Sequence, residues 1–495
     1  MEAHAYQSTF APNTQWTQHY AQGPEILAYW QEFGRKFDAY KYISFNSKVN
    51  ECLWDAETGK WGLTLENTLT GELFTDDADI LITAIGHFNA WKLPDYPGIE
   101  EYEGHLRHSS NWDSNFDPTD KTVALIGNGA SGIQVLPGLQ KVAKHVDHYA
   151  RSPTWISGTE GPGKRARTTP FTTEELEKFK DPDAYFKFRK EVEMKAFRQF
   201  PGIFKGSKEN IALRKDIEAS MKGKLALKPE VYDTILPDFS PACRRLTPGP
   251  GYLEAIVAEN VDYISTPIQQ FTKTGIITED GIHREVDAVI CSTGANVSFA
   301  PVFPIIANGN DLSKVWMPGG NPGFAKTYFG IASPSFPNLL FVHGPSGGGP
   351  GGTVPHSIEN QLTTIAKILR KVSQQGIKSI TPSQAATDDF IEFCKAFWKK
   401  TVFSENCSSW FNGGVKGGFI HGLWPGSSTH SIMARRDPRW EDWEYTYRTS
   451  TGNRYAYFGN GWTKKELEAD SDLTPYLRKP EEIDLRSYHE EWWVI

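Results

Sequence analysis

A chain of 495 residues can hold two or three domains, each with an apolar core of its own. Its 52 basic and 60 acidic side chains are interspersed and leave a formal charge of −8, which excludes a surface built for nucleic acid or an anionic membrane. No apolar run approaches the ~18 residues of a membrane-spanning helix, and Met1-Glu2-Ala3-His4 does not open a signal peptide.

In chain order, Pro24-Glu25-Ile26-Leu27 opens a helix to about Phe37. The segments Lys48–Asn50, Trp61–Leu65 and Asp79–Thr83 then read as strands, joined by turns at Glu57-Thr58-Gly59 and Thr70-Gly71. A nucleotide-type unit follows from about 105 to 155. Past it, Thr172-x-x-Glu175 is a capping box, and Tyr185, Phe188, Val192 and Phe197 recur at near-helical spacing, so residues 159–240 are expected to form a helical insertion, a lid or a wall. Apolar strand signals return in Ala288–Cys291 and Asn338–Val342. Strands alternating with helices predict an α/β fold with a parallel sheet. The five cysteines (Cys52, Cys243, Cys291, Cys394, Cys407) are scattered and predict neither a C-x-x-C metal site nor a disulfide framework, which suits a reducing cytoplasm. Sixteen Trp and 29 Phe point to large apolar cavities or interfaces. His343, His356, His421 and His430 gather late in the chain without H-E-x-x-H or paired spacing, so they are expected near a substrate mouth rather than on a metal.

The chemistry-bearing motif is Val123-Ala124-Leu125-Ile126-Gly127-Asn128-Gly129-Ala130-Ser131-Gly132-Ile133-Gln134-Val135. An apolar strand empties into G-x-G-x-x-G and a helix follows, the context a dinucleotide fingerprint requires. Gly127 makes the tight turn, Gly129 lets the backbone approach a pyrophosphate, and Gly132 lets helix and strand pack closely. The helix N-terminus adds unpaired N–H groups and a positive dipole. His145–Ala150 reads as the next strand, with Arg151-Ser152 after it, about 20 residues past the glycines, where an Arg suits a 2′-phosphate and an acid would suit NAD. The expected nucleotide is NADP(H).

Tyr102-Glu103-Gly104-His105-Leu106-Arg107-His108-Ser109-Ser110-Asn111-Trp112-Asp113 resembles the F-x-G-x-x-x-H-x-x-x-W-P fingerprint of type I Baeyer–Villiger monooxygenases, with Tyr102 for the Phe and Asp113 for the Pro. Companion signals stand in order: Ala84-Ile85-Gly86, the glycine motif, Ala150–Trp155, Cys243-Arg244-Arg245, Ser292-Thr293-Gly294, Phe336-Pro337-Asn338 leading to Gly344-Pro345-Ser346, and Ser409-Trp410-Phe411. The likeness covers nearly the whole chain and is closest in flavour to fungal natural-product members. It implies a two-dinucleotide-binding, Rossmann-like flavoprotein in which NADPH reduces FAD, O2 is activated, and a ketone becomes an ester or lactone. The protein's task is to keep an anionic oxygen adduct charged and dry. A guanidinium suits this because it holds its proton and presents a fixed fork of donors. By the family pattern Arg245 is that catalytic residue and Arg244 lies beside it on the NADP. The resemblance also places Tyr6, Val49, Val354 and Trp410 around the cofactor.

The chain departs from the family at its start. A complete member begins with its own strand–G-x-G-x-x-G–helix for the FAD pyrophosphate, then an acid for the ribose, then an Asp that pairs with the catalytic Arg. Met1–Tyr6 align just after that Asp, so the first FAD βαβ unit is expected to be missing and FAD weakly held or absent. The expected division is 1–95 as a remnant of the FAD-binding domain, 96–158 with 241–294 for NADP, 159–240 as the insertion, and 295–495 as the rest of the FAD-binding domain and a closing segment. Two other readings stand beside the monooxygenase. One is a flavin-free, redox-neutral enzyme using the same pocket for cyclisation, dehydration or dimerisation of a natural product. The other is a hydrolase using Gly344-Pro345-Ser346-Gly347-Gly348 as a nucleophile elbow, which needs a helix directly after the Ser.

Overall fold

The computed structural model describes residues 2–157, 170–449 and 451–484. At its centre is a five-stranded, all-parallel sheet in the order Val261–Ile264, His145–Tyr149, Thr122–Ile126, Ala288–Cys291, His105–His108. Thr122–Ile126 and Ala288–Cys291 are apolar because parallel strands are covered on both faces. Alternation then assigns the covers. Val123, Leu125 and Ile290 face a helical layer that includes Ile133, Leu136, Ile217, Met221, Leu225 and Ile235. Ala124, Ile126, Val289 and Cys291 face the other way, against Phe271, Ile276 and Tyr102. That second cover is not helical. It is an antiparallel three-stranded sheet of Ile268–Phe271, Gly275–Thr278 and His283–Glu285.

The 159–240 stretch is helical where it is described, and it divides. Helices Lys208–Lys224 and Pro229–Ile235 supply core to the parallel sheet. Helices Thr173–Lys178 and Pro182–Phe197 pack instead around the chain start, where Ala3, Trp16, Phe171, Phe179 and Tyr185 form one cluster. The first of these helices carries the Thr172–Glu175 capping box. The part of the insertion from 159 to 169 lies outside the described residues.

Early strands and late segments meet in the rest of the molecule. Ser47–Asp55, Lys60–Asn67 and Leu73–Ala78 form an antiparallel meander, and Ser47–Asp55 also pairs in parallel with Ile305–Ala307. This sheet differs from the parallel arrangement expected of the whole chain because its two short turns permit only antiparallel neighbours. Leu81–Thr83 pairs in parallel with Leu339–Phe341. Among the described residues that pair stands as a two-stranded sheet. Helix Val354–Gln374 and the antiparallel pair of Ile377–Pro382 with Trp443–Tyr447 back it through Ile365, Ile368, Ile380 and Leu340. Cys243 and Cys407 are joined in a disulfide, which corrects the expectation that no cysteines pair; positions 164 residues apart carry no spacing signal. Cys52, Cys291 and Cys394 are free and buried.

Candidate active site

The glycine motif turns at the carboxyl end of strand Thr122–Ile126, and each glycine has its own physical reason. Gly127 sits at φ +103 with the Ser292 carbonyl 2.5 Å from where a Cβ would be. A Cβ on Gly132 would fall 1.8 Å from the Gly127 carbonyl, so helix Ala130–Gln140 lies directly on the turn. Gly129 has nothing within 4 Å of its Cβ position, which leaves an open approach to the backbone. Ala130 and Ser131 are exposed beside it, and the helix has no side-chain N-cap, so its first N–H groups are available to an anion. Ile133 is buried in the core and Val135 packs against that core, while the Gln134 amide donates to the Ala130 carbonyl at 2.7 Å. Arg151 is exposed at the end of the neighbouring strand. Asn128 Nδ2 donates to the Ser152 carbonyl at 2.7 Å and ties that loop to the glycine turn.

Arg244 bridges two loops. Its Nε donates to the Ser408 carbonyl at 2.7 Å, and its Nη1 donates to the Pro153 carbonyl at 3.3 Å, one residue past Ser152. The glycine-turn loop, the arginine loop and the segment carrying Trp410 are thereby brought together. Arg245 is exposed, and its charge reaches His87. The His87 ring stacks on Trp410 at 4.8 Å and lies 5.5 Å from His343. Burial above all, with the neighbouring His343 and Arg245 charges, holds His87 down at about 4, so it is neutral at physiological pH. His87 carries no motif of its own in the sequence; its nearest marker is Ala84-Ile85-Gly86 just before it.

His87 and His343 belong to a cavity at the carboxyl ends of Leu81–Thr83 and Leu339–Phe341, lined also by Gly86, Phe299, Phe341 and Gly344. This is where open α/β sheets take their ligands. Gly86 holds φ +71 with open space at its Cβ position, and the buried Nδ1 atoms of both His87 and His343 are without partners. Such a cavity combines aromatic walls with unpartnered polar atoms at its edge. Val354 begins the helix that follows the glycine-rich loop. Tyr6 lies in a segment pinned to that helix, where the Ser8 and Thr9 hydroxyls donate to Glu359 at 2.9 and 2.6 Å. Val49 packs instead into the Trp54–Trp61–Phe341 cluster.

Tyr102 is buried and donates to the Val286 carbonyl at 2.8 Å; a Cβ on Gly104 would fall 2.2 Å from its hydroxyl. His108 stacks on Trp91 at 5.1 Å, and Trp91 in turn bridges to Ala295. Trp112 is exposed. The late histidines do not converge: the His421 Nδ1 accepts from the Ala325 N–H, and the His430 Nδ1 accepts from Trp424. Among the described residues one trio of metal-ligand type exists, His145, Asp147 and Asp262, at the opposite end of the parallel sheet. Ser346 is buried with its hydroxyl on the His421 carbonyl, and the next helix starts only at Val354, so the elbow geometry of a hydrolase is missing there.

The flavin-binding monooxygenase-like family model matches residues 7–162. The FAD-binding monooxygenase moxY of Dothistroma septosporum is 33% identical over 492 residues, covering 96% of this chain and 76% of that protein. The FAD-binding monooxygenase tazF of Aspergillus terreus is 32% identical, covering 96% of this chain and 84% of that one. A Baeyer–Villiger monooxygenase of Streptomyces coelicolor is 28% identical over 86% of this chain and 79% of its own. In fold, the cyclohexanone monooxygenase from Rhodococcus sp. Phi1 bound to NADP+ superposes with a TM-score of 0.75 at 23% identity, over 90% of this chain and 89% of that one.

Proposed function

The chain belongs to the flavin-binding monooxygenase-like family, among enzymes of Baeyer–Villiger type, and from that premise we propose that it uses NADPH, FAD and O2 to insert one oxygen atom beside the carbonyl of a natural-product ketone. In this reading residues 96–158 and 241–294 carry the nucleotide, 1–95 and 295–495 face the flavin, and 159–240 is an insertion. The observation that carries it is the convergence of the Ser152–Pro153 loop, Arg244 and the Ser408–Trp410 segment, with the Arg245 charge felt at His87.

When bound, NADPH supplies a hydride and FAD the means to activate O2. The residues supply the rest. Gly127, Gly129, Ser131 and Gly132, with the N-terminus of their helix, hold the pyrophosphate, and Arg151 with Ser152 holds the 2′-phosphate. Arg244 braces the nucleotide side against the closing segment. Arg245 places a permanent positive charge where negative charge develops on oxygen. Neutral His87, backed by the Trp410 ring stacked on it, walls the cavity and limits water. We place the protein in the cytoplasm, where NADPH is supplied.

The test is turnover of a ketone panel under 18O2 with NADPH and added FAD. One labelled oxygen in an ester or lactone is expected. Arg245→Ala should lower ester formation by roughly 10²–10³-fold, the worth of one preorganised donor to an anion, while NADPH consumption continues. Full ester formation by that variant would remove Arg245 from the mechanism. Conversion under anaerobic conditions without NADPH would favour the redox-neutral alternative.

A further inference from the structure

The segment that presents Arg244 and Arg245 is covalently tied to the segment that presents Trp410. The Cα atoms of disulfide-bonded Cys243 and Cys407 stand 6.3 Å apart, and both residues are buried. On one side of this bond the Ser240 N–H and hydroxyl donate to the two carboxylate oxygens of Glu405 at 2.6 and 2.9 Å. On the other side, one residue along each segment, Arg244 donates to the Ser408 carbonyl. The three ties form a ladder with the disulfide as its middle rung. Ala242, next to Cys243, is held at φ +72, a left-handed conformation that a residue with a Cβ leaves when its surroundings release it.

We propose that Cys243 and Cys407 form a thiol–disulfide modification site that sets the affinity for NADP(H). Oxidised, the bond fixes Arg244 against Ser408 and keeps the Trp410 segment closed on the nucleotide side. Reduced, it leaves two hydrogen-bonded ties that open independently, Ala242 relaxes, and Arg244 loses its position. This rests on the reading that Arg244 braces bound nucleotide. Reduction breaks one S–S bond: a dithiol of the thioredoxin or dithiothreitol class gives two electrons and two protons, becomes a disulfide itself, and leaves thiols at 243 and 407. The other three cysteines do not compete. Cys52, Cys291 and Cys394 are single and buried, and burial pushes their thiols up and keeps them protonated and poorly nucleophilic. Because both bonded sulfurs are covered, exchange requires the 405–410 segment to lift. Nucleotide that holds Arg244 in place therefore opposes reduction, and by linkage reduction opposes nucleotide binding.

The experiment uses the full chain purified without reductant. Alkylation under denaturing conditions and peptide mapping quantify the 243–407 link, and NADPH is titrated before and after treatment with dithiothreitol. Reduction is expected to raise the Kd about five-fold or more, the low end of ordinary allosteric coupling. Saturating NADP+ should slow the reduction. Cys243→Ser and Cys407→Ser should both show the raised Kd and no response to dithiothreitol; if either fails to fold, the comparison on the unmutated chain still decides. Alkylation of both cysteines in the untreated protein, or one Kd in both redox states, overturns the proposal while leaving the nucleotide assignment intact. Failure to bind NADPH in either state removes both.

Discussion

Gly129 and Gly132 serve the same turn in opposite ways, and alanine substitutions should separate them. Gly132→Ala forces a Cβ against the Gly127 carbonyl, so it should cost about 1–3 kcal/mol in urea unfolding as an overpacked contact and abolish NADPH binding. Gly129→Ala meets only open space. It should leave stability within about 0.5 kcal/mol and still weaken the nucleotide, because the added methyl stands in the approach to the backbone. Equal effects of the two on stability would contradict this assignment of roles. At the ribose end, Arg151→Ala should weaken NADPH by ~1.5–3 kcal/mol, the range for a charge-assisted contact, and leave NADH unchanged; equal affinity of the unmutated protein for both nucleotides would defeat the NADP reading. These residues are legible in the sequence because phosphate binding imposes a fixed spacing on backbone geometry. His87 and the Cys243–Cys407 pair are not, since ring stacking and long-range pairing impose no local spacing.

The elements that could be read from the sequence are those with a one-sided or fully apolar pattern. Thr122–Ile126 and Ala288–Cys291 are continuous buried runs, and helix Gly23–Lys36 announces itself by its proline start. Leu73–Ala78 escapes because it is exposed along most of its length and shows no alternation, and the three-stranded cover escapes because its strands are 3 or 4 residues long. The parallel sheet also carries a pH liability. His148 is fully buried on one of its central strands, with the Leu125 carbonyl at 3.2 Å and the Tyr252 hydroxyl at 2.8 Å. Burial holds it at about 4 against an ordinary 6.5, and His421 is held at about 4 by the same cause. The sign follows from linkage. Between those values the unfolded chain takes up protons that the folded chain refuses, so stability is full above 6.5 and is lost as pH falls towards 4. Urea unfolding at pH 5 should show a loss of about 1–2 kcal/mol for each such histidine. A stability independent of pH from 7.5 to 5 would show that neither ring is held neutral.

At the scale of the whole molecule, two sheets with ligand-facing carboxyl ends are equipped unequally among the described residues. The five-stranded parallel sheet ends in a complete phosphate turn, with Gly127, Gly129 and Gly132 in place and helix Ala130–Gln140 behind them. The Leu81–Thr83 and Leu339–Phe341 pair ends in Gly86 and the Gly344–Gly352 loop, which offers cavity walls and the unpartnered Nδ1 atoms of His87 and His343. Arg435 stiffens that loop from behind: fully buried, it donates to the carbonyls of Phe329, Ser346 and Gly347. Arg435→Met would leave three buried carbonyls without donors and should cost about 3 kcal/mol or more in urea unfolding, at about 1–3 kcal/mol each. Walls and a stiff loop grip a flat ring, but the affinity of dinucleotides depends heavily on charge-assisted contacts to phosphate. Two such contacts, at ~1.5–3 kcal/mol each, correspond to roughly 10²–10⁴-fold in Kd. The 495-residue chain should therefore bind NADPH much more tightly than FAD, as measured by protein-fluorescence titration for the first and flavin-fluorescence titration for the second. A chain purified yellow, with one flavin per polypeptide, would overturn this and would mean that the His87–His343 cavity carries phosphate contacts outside the glycine turn.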